Sequence, residues 1–296
     1  MTRPSRPIRS RTGALRVSPG SRPPLRVFTT TLWEYPSQHY DTWVDERGEV
    51  HRSQRFASTQ GSKDYVGATP SWVIWQCLMR YTSVGEKVLD PMCGSGTTLD
   101  VCADLGRVGI GFDLAPARSE VTQADARRIP LPSSSIDFAF VDPPYSTHVN
   151  YSDDPRCIGK LPTHGEDKGD AYYDAMAQVI GEIHRVLRDQ RFMALYVSDS
   201  FRKRPGKPGG EFSPIGFHLL NILGGFLTPV DVIAVTRHNQ KLERGNWRKA
   251  AEEGNFFLRG FNYLFICKKE RVPTPPGRSE QRGTPRPGGP RRKGSR

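Results

Sequence analysis

Residues 87–113 read as strand, glycine loop, helix and strand, and no other stretch of the chain restricts the fold as tightly. Val88 and Leu89 suit a short strand, and Gly94 and Gly96 let the backbone turn closely beside a ligand. Thr98 to Leu105 can then begin a helix that Gly106 closes. The next strand, 108–112, ends in Asp113, 17 positions after Gly96. An acidic residue at about that distance is placed to bind ribose hydroxyls. Two common alternatives fail on details. A phosphate-binding P-loop needs a Gly-Lys-Ser/Thr that is absent here, and a dinucleotide fingerprint needs a third glycine where Leu99 stands.

A second motif follows an apolar run, Ile136 to Val141, that reads as a buried strand: Asp142-Pro143-Pro144-Tyr145. A carboxylate, carbonyls and an aromatic face delivered together at a strand end can hold a flat ring that carries an amino group. The exocyclic amine of a nucleobase is a poor nucleophile because its lone pair is delocalised into the ring. Asp142 can accept one N–H and the Pro143 carbonyl the other, while Tyr145 stacks on the ring.

Together the two motifs resemble the amino-methyltransferases that use S-adenosylmethionine, the N6-adenine and N4-cytosine DNA methyltransferases. The resemblance lies at Asp90 to Thr98 for the cofactor motif and at Asp142 to Tyr145 for the catalytic tetrapeptide, and it covers roughly residues 65–268. It implies an α/β fold of the Rossmann-like class I methyltransferase type: a seven-stranded, mostly parallel sheet with helices on both faces and one antiparallel strand. It also implies cofactor contacts from Asp90, Pro91, Cys93, Gly94, Ser95, Gly96, Thr97 and Thr98, with Asp113 on the ribose and Asp125 near the adenine. In that reading Asp90 attracts the ammonium of the cofactor, and the helix N-terminus at Thr97 and Thr98 receives its carboxylate. The segment 69–82 resembles the family's helix before the glycine loop, with Thr69 as N-cap and Pro70 at the first helical position.

Periodicity supports the fold independently. Asp170 can cap a helix with Met176, Val179, Ile180, Ile183 and Leu187 at helical spacing, and an apolar strand, 192–197, follows it. A helix at 214–223 and strands at 230–235 and 263–267 continue the alternation. Asp90, Asp113, Asp125 and Asp142 then fall at or just after strand carboxyl ends, where open parallel sheets bind ligands.

The net charge of +12 is concentrated at the two ends. Residues 1–26 hold seven Arg and no acid, and residues 271–296 hold eight Lys/Arg against one Glu, so the chain between them carries 12 − 14 = −2. Both ends are rich in Pro, Gly, Ser and Arg, a composition expected to stay disordered while attracting phosphates. The domain reading is a basic tail (1–26), an N-terminal extension (27–64), a methyltransferase domain (65–270) and a second basic tail (271–296). Specific nucleic-acid contacts are expected from loops beside the site: Asn150 and Lys160 after the tetrapeptide, and Arg202, Lys203 and Arg204 after another strand. Trp247, Phe256 and Phe257 are placed to stack or wedge against bases.

The five cysteines form no Cys-x-x-Cys pair, so neither a disulfide framework nor a metal site is expected. The start lacks the apolar core of a leader, and no segment has 18 uninterrupted apolar residues, so no membrane is expected and the cytoplasm is the default. The sequence reading is therefore methyl transfer from S-adenosylmethionine to a base amino group, with DNA favoured over RNA. The alternatives are a guanine or adenine methylase of transfer or ribosomal RNA, and a non-catalytic nucleic-acid-binding subunit that retains the fold. No segment is long enough to be an independent target-recognition region, so a second copy or a separate partner is expected to supply sequence recognition.

Overall fold

The computed structural model describes residues 22–271, apart from 57, 146, 148, 165–167, 204–209 and 238–244. Its main sheet collects β1 (Leu32–Trp33), β4 (Lys87–Asp90), β5 (Val108–Asp113), β6 (Thr122–Gln123), β7 (Ile136–Val141), β8 (Leu187–Val197), β11 (Thr228–Thr236) and β12 (Phe261–Lys268). Two antiparallel hairpins stand outside it, β2 (Thr42–Val44) with β3 (Val50–Arg52), and β9 (Ser200–Lys203) with β10 (Gly210–Ser213). The helices are α1 (Ser71–Tyr81), α2 (Thr97–Asp104), α3 (Asp170–Val186), α4 (Ile215–Phe226) and α5 (Gly245–Glu253).

Across the main sheet the order is β1-β11-β12-β8-β7-β4-β5-β6. Only β12 runs antiparallel to its neighbours; the other pairs are parallel. The seven expected strands are all present, and an eighth, β1, is added at the edge by the N-terminal extension.

Both faces of the sheet are covered, which explains why its strands read as near-continuous apolar runs. Ala139, Val141, Met193, Leu195, Phe265 and Cys267 pack against α3 and α4. Phe138, Phe140, Ala194, Tyr196, Leu264 and Ile266 face the layer of α1, α2 and the extension. Leu25, Trp33, Tyr35, Tyr40 and Trp43 belong to that second layer, so α1 is buried on nearly every side from Ser71 to Leu78.

Three expectations need correction. Residues 22–26 were grouped with the basic tail, but Leu25 is buried and exchanges backbone hydrogen bonds with Thr42 and Val44. Arg22 also pairs with Asp41 at 2.8 Å, and the Pro23 and Arg26 carbonyls accept from Tyr35 Oη and Gln76 Nε2. Residues 1–21 and 272–296 lie outside the described residues. Helix α1 starts at Ser71 with Pro70 at the N-cap and no side-chain cap, because the Thr69 hydroxyl is engaged elsewhere. The N-cap of α3 is Gly169, at a φ of 87° that glycine adopts readily, and Asp170 is the first helical residue. There its charge complements the helix dipole rather than capping it. None of the helices among the described residues is long and apolar enough to cross a membrane.

Candidate active site

The carboxyl ends of β4, β5 and β7 bring Asp90, Asp113 and Asp142 to one edge of the sheet, beside the loop that leads into α2. Gly94 and Gly96 hold that loop at φ values of 49° and 80°. A Cβ on Gly94 would stand 2.8 Å from Tyr65 Oη, and one on Gly96 would stand 2.8 Å from Arg118 Nη1. Both positions therefore need glycine for conformation and for space.

Asp113 organises the loop: its Oδ2 accepts the Gly94 N–H at 2.8 Å and its Oδ1 the Ala115 N–H at 2.9 Å. Asp90 is buried; its Oδ2 accepts from Thr98 Oγ1 at 2.5 Å and its Oδ1 from the Met92 N–H at 3.1 Å. Burial pushes the Asp90 carboxyl up to about 7, against the lowering effect of those two bonds. The carboxylate expected to meet an ammonium thus also fastens strand to helix. Asp125 is fork-paired with Arg127, at 2.7 Å through Nη2 and 3.0 Å through Nε, and that pairing lowers its pKa.

These residues line one cleft of about 890 Å³, its open mouth included. Asp90, Pro91, Cys93, Gly94, Ser95, Thr97, Thr98, Asp113, Asp125, Asp142, Pro143 and Pro144 all contribute to its wall. S-adenosylmethionine fits the donor set: acceptors at Asp113 and Asp125 for hydroxyl and amine hydrogens, apolar walls from Met92, Leu114 and Ile158, and the open amides at the start of α2 for a carboxylate. Cys93 is buried against Gly111, where a Cβ would come within 2.7 Å of its sulfur. The Cys93 thiol is pushed up by burial, so it acts as packing.

Asp142 stands on the partition between this cleft and a second cavity of about 1490 Å³, mouth included. Tyr65, Gly67, Ala68 and Asp142 line both, whereas no residue of the glycine loop lines the second. Tyr145 lines the second cavity with Tyr196, Arg237 and Asn262, and residues 35–39 of the extension close its other side. Thr69 Oγ1 donates to Asp142 Oδ2 at 2.6 Å. Burial pushes the Asp142 carboxyl up to about 8, with the Thr69 bond opposing, the Asp90 charge adding and the Arg237 charge opposing. Part of Asp142 is open to the cavities, so solvent there moderates that shift. Asn262 lines the same cavity as Tyr145, and its Oδ1 is buried with no partner among the described residues.

Sequence reasoning missed Thr69, Tyr65 and Asn262 as site residues. A signal existed for Asn262, which opens the antiparallel strand and so falls at the same sheet edge as Asp142. The residues expected to contact nucleic acid lie outside the two cavities where their side chains are described. Asn150 and Lys160 are exposed, line neither cavity and bond to Asp153, at 3.2 Å and 2.6 Å. Arg202 and Lys203 lie on β9, where the backbone alone is described, and Arg204 lies outside the described residues. Phe256 stacks on Phe201 at 4.3 Å, Phe257 is 90% exposed and Trp247 is 41% exposed.

Comparison with known proteins gives this geometry relatives. Residues 12–124 match the family model for N6/N4 DNA methylases. The type II methyltransferase M.MthZI of Methanothermobacter thermautotrophicus is 33% identical over 91 residues, 30% of this chain and 24% of that protein. The type II methyltransferase M.MjaII of Methanocaldococcus jannaschii is 35% identical over 67 residues, 23% of this chain and 13% of that protein. The chain thus spans a quarter or less of the curated relatives it matches. Among solved structures, geranyl diphosphate methyltransferase aligns with 67% of this chain and 76% of its own at 13% identity and a TM-score of 0.44. The family match takes in α1, the glycine loop and Asp113, and it ends before Asp142.

Proposed function

We propose that the chain methylates the exocyclic amino group of a base in DNA, adenine N6 or cytosine N4. One observation carries the reading: Asp142 sits where the glycine-loop cleft and a second, aromatic-lined cavity meet. In the first cleft S-adenosylmethionine supplies a methyl on a sulfonium; transfer breaks the S–C bond, forms an N–C bond and releases one proton from the amine. The chain's residues prepare the nitrogen. Asp142 and the Pro143 carbonyl accept its two hydrogens and draw electron density onto it as the methyl arrives. Tyr145 stacks on the extruded ring. Thr69 fixes the orientation of Asp142 through its 2.6 Å bond. No dedicated base is required, because the amine becomes acidic once methylated.

Asp90, Asp113 and Asp125, with the amides of the glycine loop, are proposed to hold the cofactor. The reading extends to a second copy or a separate partner that supplies sequence recognition, and to action in the cytoplasm. The test is incorporation of labelled methyl from S-adenosylmethionine into duplex DNA, single-stranded DNA and RNA. Label in DNA amino groups supports the proposal. Label in RNA alone would transfer the activity to RNA, and label in none would leave a binding subunit.

A further inference from the structure

The second cavity holds a cation as well as acceptors. Arg237 follows β11, and its backbone N–H donates to Gly260 O at 2.9 Å, which fixes the root of the side chain. Its Nη1 donates to Ser198 Oγ at 3.2 Å. β11 lies three places from β7 in the sheet, but Ser198 directly follows β8, the neighbour of β7. That bond draws the guanidinium back towards β7, and Arg237 and Asp142 line the same cavity. Among the described residues no carboxylate is ion-paired with Arg237. A guanidinium offers five N–H donors in a planar fork, so one long bond leaves donors for a ligand.

An acceptor at one end of a flat slot and a forked donor at the other select among bases by the order of groups along one edge. Cytosine presents the amine N4, then two acceptors, N3 and O2. Adenine follows its amine with N1 and then an apolar C–H. Guanine flanks its amine with N3 on one side and the N1–H donor on the other, which a guanidinium repels. We infer that the cavity selects cytosine, with N4 held by Asp142 and the Pro143 carbonyl and the N3–O2 edge held by the fork of Arg237. This rests on the amino-methyltransfer reading and narrows it to one base.

The test uses the full chain, labelled S-adenosylmethionine and sequence-diverse DNA made by amplification, digested to nucleosides for mass spectrometry. The expected product is N4-methylcytosine with N6-methyladenine at background. N6-methyladenine as the product would overturn the inference and leave the amino-methyltransfer reading standing. No methylated base of either kind would overturn both. Binding supplies a readout independent of turnover: the wild-type chain should hold a duplex with one unpaired cytosine more tightly than one with an unpaired adenine. Arg237→Ala should abolish that preference, a loss of about 10–100-fold, the scale of one bidentate base contact. Arg237→Lys should not restore it, because an ammonium has no fork. An equal loss for both bases in Arg237→Ala, or no loss, would remove Arg237 from base selection.

Discussion

Asp142 is the residue proposed to hold the amine, and its environment sets a pH dependence. Burial raises its carboxyl from 3.8 to about 8, so the empty site favours the neutral form at pH 7. The ionised form is the stronger acceptor for an amine hydrogen. We expect kcat/KM to rise about tenfold per pH unit below an apparent pKa near 8 and to level off above it, since this parameter reports the free enzyme. A pH–rate profile measures it, and a profile flat from pH 6 to 9 would contradict the assignment. Stability should run the other way. A carboxyl whose folded pKa is raised contributes stability that is complete below about pH 4 and is lost as pH rises through the folded value. Asp142→Asn should therefore melt higher than the wild-type chain at pH 9, with the difference shrinking towards pH 4. Thermal melts across that range test the sign.

Among the elements, the local motifs were the legible part. The glycine loop, the strand ending in Asp113 and the tetrapeptide are each contiguous, so spacing and residue type alone located them. The role of the extension was not legible, because it depends on contacts across long sequence separations. Tyr40 Oη and Ser53 Oγ both donate to Asp104 Oδ2, at 2.8 Å and 2.7 Å, and the Gln54 N–H donates to Oδ1 at 2.6 Å. Nothing near Asp104 in the sequence announces three donors. The same extension packs against α1, whose residues are buried from Ser71 to Leu78. Thr69 misled for a local reason: a threonine before a proline and a helix is a good cap, and only the fold reveals that its hydroxyl meets Asp142. Asp104→Ala should lower stability by about 1.5–3 kcal/mol, the scale of losing hydrogen bonds to a charged group. Urea unfolding should register this as a lower midpoint, and an unchanged midpoint would mean that the extension is held by its aromatic residues alone.

Over the whole molecule, the net charge and the two cavities occupy different parts of the chain. The segments 1–26 and 271–296 carry +7 each, while both cavities are built from the near-neutral remainder. Removing residues 1–21 and 272–296 should leave thermal stability and turnover at saturating DNA nearly unchanged. It should also flatten the dependence of DNA affinity on salt, because fewer counterions are released. Binding measured across a salt series would show it, and identical slopes would make these segments irrelevant to binding. The central claim is that Asp142 acts in the methyl-transfer step and not in holding the cofactor, and single-turnover methylation by Asp142→Ala, with S-adenosylmethionine affinity measured in parallel, tests it most directly. The account predicts a rate lower by about 10²–10³-fold with cofactor affinity nearly unchanged; methylation at the wild-type rate would contradict it.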